Sequence, residues 1–401
     1  MNGPEPAGSC SVVKLGDVCE VLNGYAFRSE GYTDHGIRII RISNVQKGVI
    51  VDSDPKFYPT DAEDEFGRYA LRVNDILVSL TGNVGRVGLV PASLLPAVLN
   101  QRVACLRPID EDRLSREYLF YLLDSDTFER TCTNSAIGMA QKNLSTERLK
   151  ECQLPLPPLR EQQRIVAKLD EQMVALDDAD KALVEQQAAA SAFTTVALQQ
   201  VFSGSESGRW PQVRLGEVAA SDFTQVPPDD EFAKDLPYIG MEDIESQTGR
   251  IIAQSAHSDV RSNTFAFDER HVLYGKLRPY LNKVALPESR GRCSTELIPL
   301  RPEARLDRRY LAWFLRRPET VSAAMQEKTG SRMPRASMKN IGQLHIPLPP
   351  LSHQRQVVAS LERISAELAS LQQHFADQRT DLAVLRSSLL NAAFSGEARH
   401  D

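Results

Sequence analysis

No run of about 18 uninterrupted apolar residues occurs anywhere in these 401 residues, so a membrane-spanning helix is not expected. Met1 to Ser11 lacks a basic stretch followed by an apolar core; it reads as a loose lead-in rather than a secretory leader, and a cytoplasmic location is expected. The six cysteines (Cys10, Cys19, Cys105, Cys132, Cys152, Cys293) form no CxxC pair and no regular spacing. That argues against a disulfide framework or a zinc site and for reduced thiols, several of them buried. Catalytic signatures are missing as well: no GxxxxGK[ST] phosphate loop, no GxGxxG after a strand, no HExxH and no GxSxG. Methyl transfer to an adenine amino group calls for an Asn/Asp-Pro-Pro-aromatic loop. Val226-Pro227-Pro228-Asp229 has neither the leading Asn/Asp nor the aromatic. The seven histidines are scattered, and His271, inside an apolar run, reads as structural. With 42% hydrophobic and 25% charged residues the chain is otherwise ordinary for a folded protein. The absences favour a binding module over an enzyme, with no cofactor or metal expected on this chain.

What is present is a repeat. Leu154-Pro155-Leu156-Pro157-Pro158-Leu159 returns as Ile346-Pro347-Leu348-Pro349-Pro350-Leu351, 192 residues on. Each copy opens a long stretch free of Pro and Gly, and the stretches end at Phe202-Ser203-Gly204 and Phe394-Ser395-Gly396. From Tyr118/Tyr310 onward the copies align without a gap. Upstream, Leu15-Gly16-Asp17-Val18 matches Leu215-Gly216-Glu217-Val218, and Leu106-Arg107-Pro108 matches Leu300-Arg301-Pro302. Asp75 to Ser79 aligns with Arg270 to Tyr274, and Val87 to Pro91 with Lys283 to Pro287. These short apolar runs bounded by Gly, Pro and Asn predict strands. Tyr118 to Leu123 and Tyr310 to Leu315 predict helices packed on them. Two mixed α/β (α+β) globules are therefore expected at 1–158 and 205–350, each followed by a long helix, at 159–204 and 351–401. The Ser203-to-Gly208 segment reads as a linker, and the proline runs as elbows that set the helix direction.

In the second long helix Leu361, Leu368, Phe375, Leu382 and Leu389 recur every seven residues. Ile364, Leu371, Leu385 and Ala392 stand three further on, with Gln378 breaking that column. The first helix keeps one column (Leu169, Leu176, Leu183, Ala190, Ala197) and has a poorer second (Gln172, Ala179, Gln186, Phe193). The spacing predicts a coiled-coil seam between two rods on the order of 65 Å long. Economy of connection and the internal pseudo-twofold repeat predict antiparallel rods holding two unlike heads apart.

Net charge is −6 but unevenly spread: −4 over 1–158, −3 over 159–204, +2 over 205–350 and −1 over 351–401. Arg270 to Lys339 carries 16 Lys/Arg against 6 Asp/Glu, a local excess able to attract phosphate. Three polar loops per globule carry donors and acceptors suited to base edges and phosphates. In the first globule the candidates are Thr81, Asn83, Arg86, Gln101, Arg102, Gln141, Lys142 and Asn143. In the second they are Lys276, Arg278, Tyr280, Asn282, Lys283, Ser294, Thr295, Ser331, Arg332 and Arg335. Arg86, Arg102, Lys276, Arg278 and Lys283 lead among them for phosphate or guanine. For any one residue, an ordinary solvated hairpin explains the loop equally well; the recurrence of the set favours binding to double-stranded DNA. A coiled-coil adaptor with two protein-binding heads is the competing class. It accounts for the duplication and the acidic balance but not for the repeated polar loops.

The doubled layout, the Leu-Gly-Asp/Glu-Val openings, the Gly-rich loop before a strand and the proline elbow ahead of Arg160-Glu161-Gln162-Gln163-Arg164-Ile165-Val166 resemble the specificity subunit of type I restriction–modification systems over nearly the whole chain. The resemblance implies two target-recognition domains reading a split, asymmetric DNA sequence, with the helices as a ruler for the unread gap. It implies two adenine-methyltransferase modification subunits and restriction subunits as partners, with S-adenosylmethionine, ATP and magnesium belonging to those partners. One departure is that the second elbow reads Leu351-Ser352-His353-Gln354-Arg355, so the family's acidic-Gln pair is intact only in the first half. That puts the equivalence of the two modification-subunit contacts in question.

Overall fold

The computed structural model describes residues 10–60, 66–136, 143–203, 207–231, 235–253, 255–256, 262–325 and 334–394. Compactness divides the chain into one unit of Met1–Ala182 with Asp377–Asp401 and a second of Leu183–Ala376. Each long helix, Leu159–Ser203 and Leu351–Phe394, therefore gives one half to each unit.

In unit 1 a four-stranded antiparallel sheet runs in the order Cys19–Asn23, Val103–Pro108, Ile76–Ser79, Val87–Leu89. A second sheet places Ile37–Ile40 between Phe57–Tyr58 and Ala97–Leu99, the latter pairing being parallel. Unit 2 repeats the four-stranded sheet with Ala219–Ser221, Leu297–Pro302, Val272–Gly275 and Val284–Ala285. Its second sheet is enlarged to five strands, with Thr264–Phe267 and Gly291–Ser294 near the centre. Both globules are mixed α/β, as the apolar runs predict.

The register corrects the sequence alignment by one residue. Leu106 pairs with Ile76 and Leu300 with Val272, so Ile76 is equivalent to Val272. Likewise Val78–Val87 corresponds to Tyr274–Val284, which makes Val87 equivalent to Val284 rather than Lys283. The runs are apolar throughout because these central strands are buried on both faces (Ile76 to Ser79 are all buried), so no alternation marks the inward positions.

Helices Arg116–Leu123 and Arg308–Leu315 cover the sheets, and their N-caps fall at equivalent positions. Ser115 Oγ accepts from the Tyr118 N–H, and Asp307 accepts from the Arg309 and Tyr310 N–H groups. The tyrosines recur too: Tyr118 donates to the Pro155 carbonyl and Tyr310 to that of Pro347, each at 3.0 Å. The proline runs begin as strands: Gln153–Leu156 pairs with Ser11–Lys14, and His345–Pro347 with Gln212–Arg214. Only the following two prolines form the bend into each long helix.

The ends of the long helices close the cores. In unit 1 Phe394 meets Tyr118 edge-on at 5.6 Å, and Leu390 is fully buried in one cluster with Leu169 and Met173. Arg379 bonds Asp180 at 2.8 Å, so the two helices run antiparallel within this unit. In unit 2 Phe202 lies 5.0 Å from Tyr310, in a cluster with Leu198, Val358 and Leu361. The seam differs from the expected heptad. Leu371 and Leu385 are exposed, whereas Met173, Arg386 and Ala393, four residues after the first column, face inward or partly so. The physical reason is that each helix end packs on a globule as well as on the other helix. The stripe then follows the 3.6-residue turn rather than the 3.5 of a two-stranded coil.

Candidate nucleic-acid interface

At one end of the unit 1 sheet three backbone segments cross. The Leu80 N–H donates to the Arg102 carbonyl (3.0 Å), the Leu144 N–H to the Leu80 carbonyl (2.8 Å), and Thr81 bridges Asn143. Thr81, Arg102 and Asn143, drawn from three separate loops, are thereby collected at one tip. Between Leu80 and Val87 the chain turns through Gly82 (φ 67°) and Gly85 (φ 86°). A Cβ on Gly85 would stand 2.9 Å from that of Cys132, so the turn is closed to other residues. Ser79 Oγ accepts from the Arg86 N–H at 3.0 Å and holds the turn from inside. Asn83, Gln101, Arg102 and Asn143 are exposed, Thr81 and Arg86 half-buried. Arg86 donates Nη1 to Gln46 Oε1 at 2.6 Å, and Gln46 donates to the Ser43 carbonyl at 2.9 Å. A cleft of about 210 Å³ lies among Ser43, Gln46, Thr81, Asn83 and Arg102. Gln141 and Lys142 lie outside the described residues.

The second globule builds the same crossing. The Lys276 N–H donates to the Glu296 carbonyl (2.9 Å), Ala336 to Lys276 (2.6 Å), and Leu277 bridges Arg335. Here the loop is longer and strained: Arg278 and Asn282 both take left-handed conformations at φ 51°, a cost of roughly 1–2 kcal/mol each. The Arg278 N–H is tied to the Pro334 carbonyl at 2.8 Å while its side chain is exposed, as is Tyr280. Lys283 turns inward, its Nζ donating to the Met241 carbonyl at 2.7 Å. Asn282 bonds the Arg316 carbonyl at 2.9 Å. Ser294 and Thr295 are half-buried, Ser294 Oγ accepting from the Glu296 N–H. Arg335 is exposed and donates Nη2 to Glu296 Oε1 at 3.0 Å, which raises its guanidinium above the usual range. Ser331 and Arg332 lie outside the described residues.

Three residues at these tips escaped the sequence reading. Glu296 directly follows Ser294 and Thr295, which were singled out, but a carboxylate does not count among donors for phosphate. Ser43 and Gln46 lead into a Gln46-Lys47-Gly48 turn marked in the sequence by Gly48 (φ 75°); the approach of Gln46 to Arg86, 40 residues away, was not legible. His271 is buried, its ring nitrogens meeting Asp268 and Asp222, in keeping with a structural role. Among the described residues no group of three or more His, Cys, Asp or Glu could hold a metal, and no helix is long and apolar enough to cross a membrane.

Two globules built on one plan, each gathering a different set of Arg, Lys, Asn and Gln at one sheet end, define an internally duplicated α/β protein. The chain belongs to the family of type I restriction modification DNA specificity domains, whose model matches it twice, at residues 9–186 and 208–374. It is similar to the EcoAI specificity subunit of Escherichia coli, 35% identical over 39% of this chain and 27% of that protein. The MjaVIII specificity subunit of Methanocaldococcus jannaschii is 29% identical over 39% of this chain and 38% of its own length. These two matches thus span well under half of either relative. The EcoBI specificity subunit of Escherichia coli aligns over 96% of this chain and 85% of its own, at 23% identity. Two solved structures share the fold at 24% identity. One, from work on complex assembly and conformational transition of the type I R-M system, gives a TM-score of 0.70, covering 98% of this chain and 100% of that one. The other, the HsdS subunit from Thermoanaerobacter tengcongensis, gives 0.54, covering 98% and 97%.

Proposed function

We propose that this chain is the DNA-specificity subunit of a type I restriction–modification complex, acting in the cytoplasm and reading a two-part, asymmetric DNA sequence. The observation that carries this is the twice-built crossing of three backbone segments, one scaffold presenting different side chains in each globule. One scaffold gives both globules the same approach to a duplex; unlike side chains demand unlike half-sites. Arg102, Asn83 and Gln101 in the first globule, and Arg278, Tyr280 and Arg335 in the second, are the exposed groups offered to DNA. Arg86 and Lys283, already bonded within the protein, shape the loops that carry them. Catalysis belongs to partners: two adenine-methyltransferase modification subunits and the restriction subunits, which carry S-adenosylmethionine, ATP and magnesium.

Methylation-aware sequencing of host DNA, combined with salt-titrated binding of the purified complex to the sequence found, tests the reading. A split target and an affinity falling steeply with salt are expected. The absence of any methylated split site, together with salt-independent partner binding, would favour the protein-adaptor alternative. Arg278→Ala is expected to weaken discrimination in the second half-site roughly tenfold or more and leave the first unchanged. Equal loss at both half-sites on defined duplexes would contradict the assignment.

A further inference from the structure

Glu296 is a carboxylate at the tip proposed to meet a polyanion. The backbone makes it equivalent to Arg102: Lys276 donates to the Glu296 carbonyl as Leu80 does to that of Arg102, and the matched strands Leu297–Pro302 and Val103–Pro108 follow. One scaffold position thus reverses its charge between the globules. A bare carboxylate there would repel phosphate, so its partners decide what it does. Glu296 accepts from Arg335 through Nη2 (3.0 Å) and Nε (3.3 Å), and Lys276 Nζ stands 3.9 Å away. Both cations are also tethered by their backbones, Leu277 bridging Arg335 and Ala336 bonding the Lys276 carbonyl. The Arg335 end of the pair is 48% exposed, and a pair open to solvent at one end contributes little to folding, so stability does not account for the arrangement. What the carboxylate does is fix the plane of a guanidinium. With Nε and Nη2 given to Glu296, the Arg335 fork keeps one orientation, its Nη1 edge turned from the carboxylate. A held fork distinguishes base edges, whereas a freely turning one serves any phosphate.

We propose that Glu296 is a positioning residue for specificity in the second globule, setting the Arg335 guanidinium against the base edges of the second half-site. The inference rests on the DNA-reading function proposed above. Glu296→Gln in the assembled complex removes the charge and keeps one acceptor, and it separates affinity from discrimination. Binding to unrelated duplex should rise severalfold, because a negative charge leaves the surface and two cations are released. The ratio of cognate to single-substitution duplexes in the second half-site should fall roughly tenfold, with the first half-site unchanged. In an Arg335→Ala background the same substitution should lower that ratio no further, since the carboxylate acts through the fork. A fall in thermal stability with parallel loss of all binding would make Glu296 merely structural and overturn the proposal. So would a uniform rise in affinity with the ratio intact, the mark of a simple repeller. A wild-type complex that shows no preference among duplexes would instead overturn the DNA-reading function itself.

Discussion

Gln162 and Gln354 are fully buried amides that occupy the same place in the two halves. Gln162 accepts from the Ser115 N–H at 2.9 Å and donates to the carbonyls of Arg113 and Pro157, both at 2.9 Å. Gln354 accepts from Asp307 and donates to Arg305 and Pro349 at 2.8–2.9 Å. Each amide ties the first turn of a long helix to the loop that caps the preceding helix, and so fixes the elbow. Within the acidic-Gln pair the departure is therefore one residue: Glu161, which pairs with Arg164, is replaced by His353, whose ring lies 5.1 Å from that of Trp210. Gln354→Ala would strand one N–H and two carbonyls in the interior. It is expected to cost about 2–4 kcal/mol, seen as a lowered unfolding midpoint of the second globule; an unchanged midpoint would mean the elbow is held otherwise. The duplicated glutamine was visible in the sequence. Its burial was not, because two of the amide's three partners lie 47 and 49 residues away, beyond any local pattern.

At the scale of elements, the end of the second long helix is latched to the first globule by polar groups. Arg386 bonds Asp124 at 3.0 Å; Ser387 and Asn391 bond Asp126 at 3.1 Å, and Lys47 joins Asp126. Gly48 has no Cβ, which would otherwise lie 2.6 Å from Arg386 Nη2. Burial outweighs the pull of Arg386 and raises the Asp124 carboxyl to about 6, and its Oδ1 has no hydrogen bond. Because the folded pKa lies above the unfolded one, the folded state binds the extra proton between about pH 4 and 6. Stability from this group is present below that window and lost as pH rises through it. Asp124→Asn should therefore compare more favourably with wild type at pH 7.5 than at pH 4.5, by on the order of 2–3 kcal/mol. Urea midpoints that shift in parallel would contradict this. The equivalent place in the second globule holds Arg316, whose guanidinium burial lowers to about 10. The two docking faces are thus chemically opposed, and Arg386 suits only the first. The same helices leave Leu385 and Phe193, repeat-equivalent residues, 47% and 54% exposed. One such residue per unit suits a partner bound twice. If the proposed assembly with two modification subunits is right, Leu385→Glu and Phe193→Glu are each expected to cost it one of them with little change in stability, read by mass measurement of the assembly. Retention of both subunits would free this face from that role.

At the scale of the whole molecule, the two long helices are shared between the compact units, the first entering unit 2 at Leu183 and the second entering unit 1 at Asp377. One heptad added to both, at matching levels, adds about 10 Å and should widen the gap between half-sites by about three base pairs. A methylation survey returning the original gap would end the ruler reading. By itself the amino-acid sequence determined the duplication, the mixed α/β globules and where each long helix starts, because periodicity and proline elbows act within a few residues of chain. Tertiary structure alone decided the strand register, which helix face is buried, and the gathering of Arg335, Lys276 and Glu296 at one tip. Those outcomes depend on hydrogen bonds and packing between segments remote in sequence, where buried strands carry no alternation and a loop residue takes its meaning from whichever neighbour the fold brings to it.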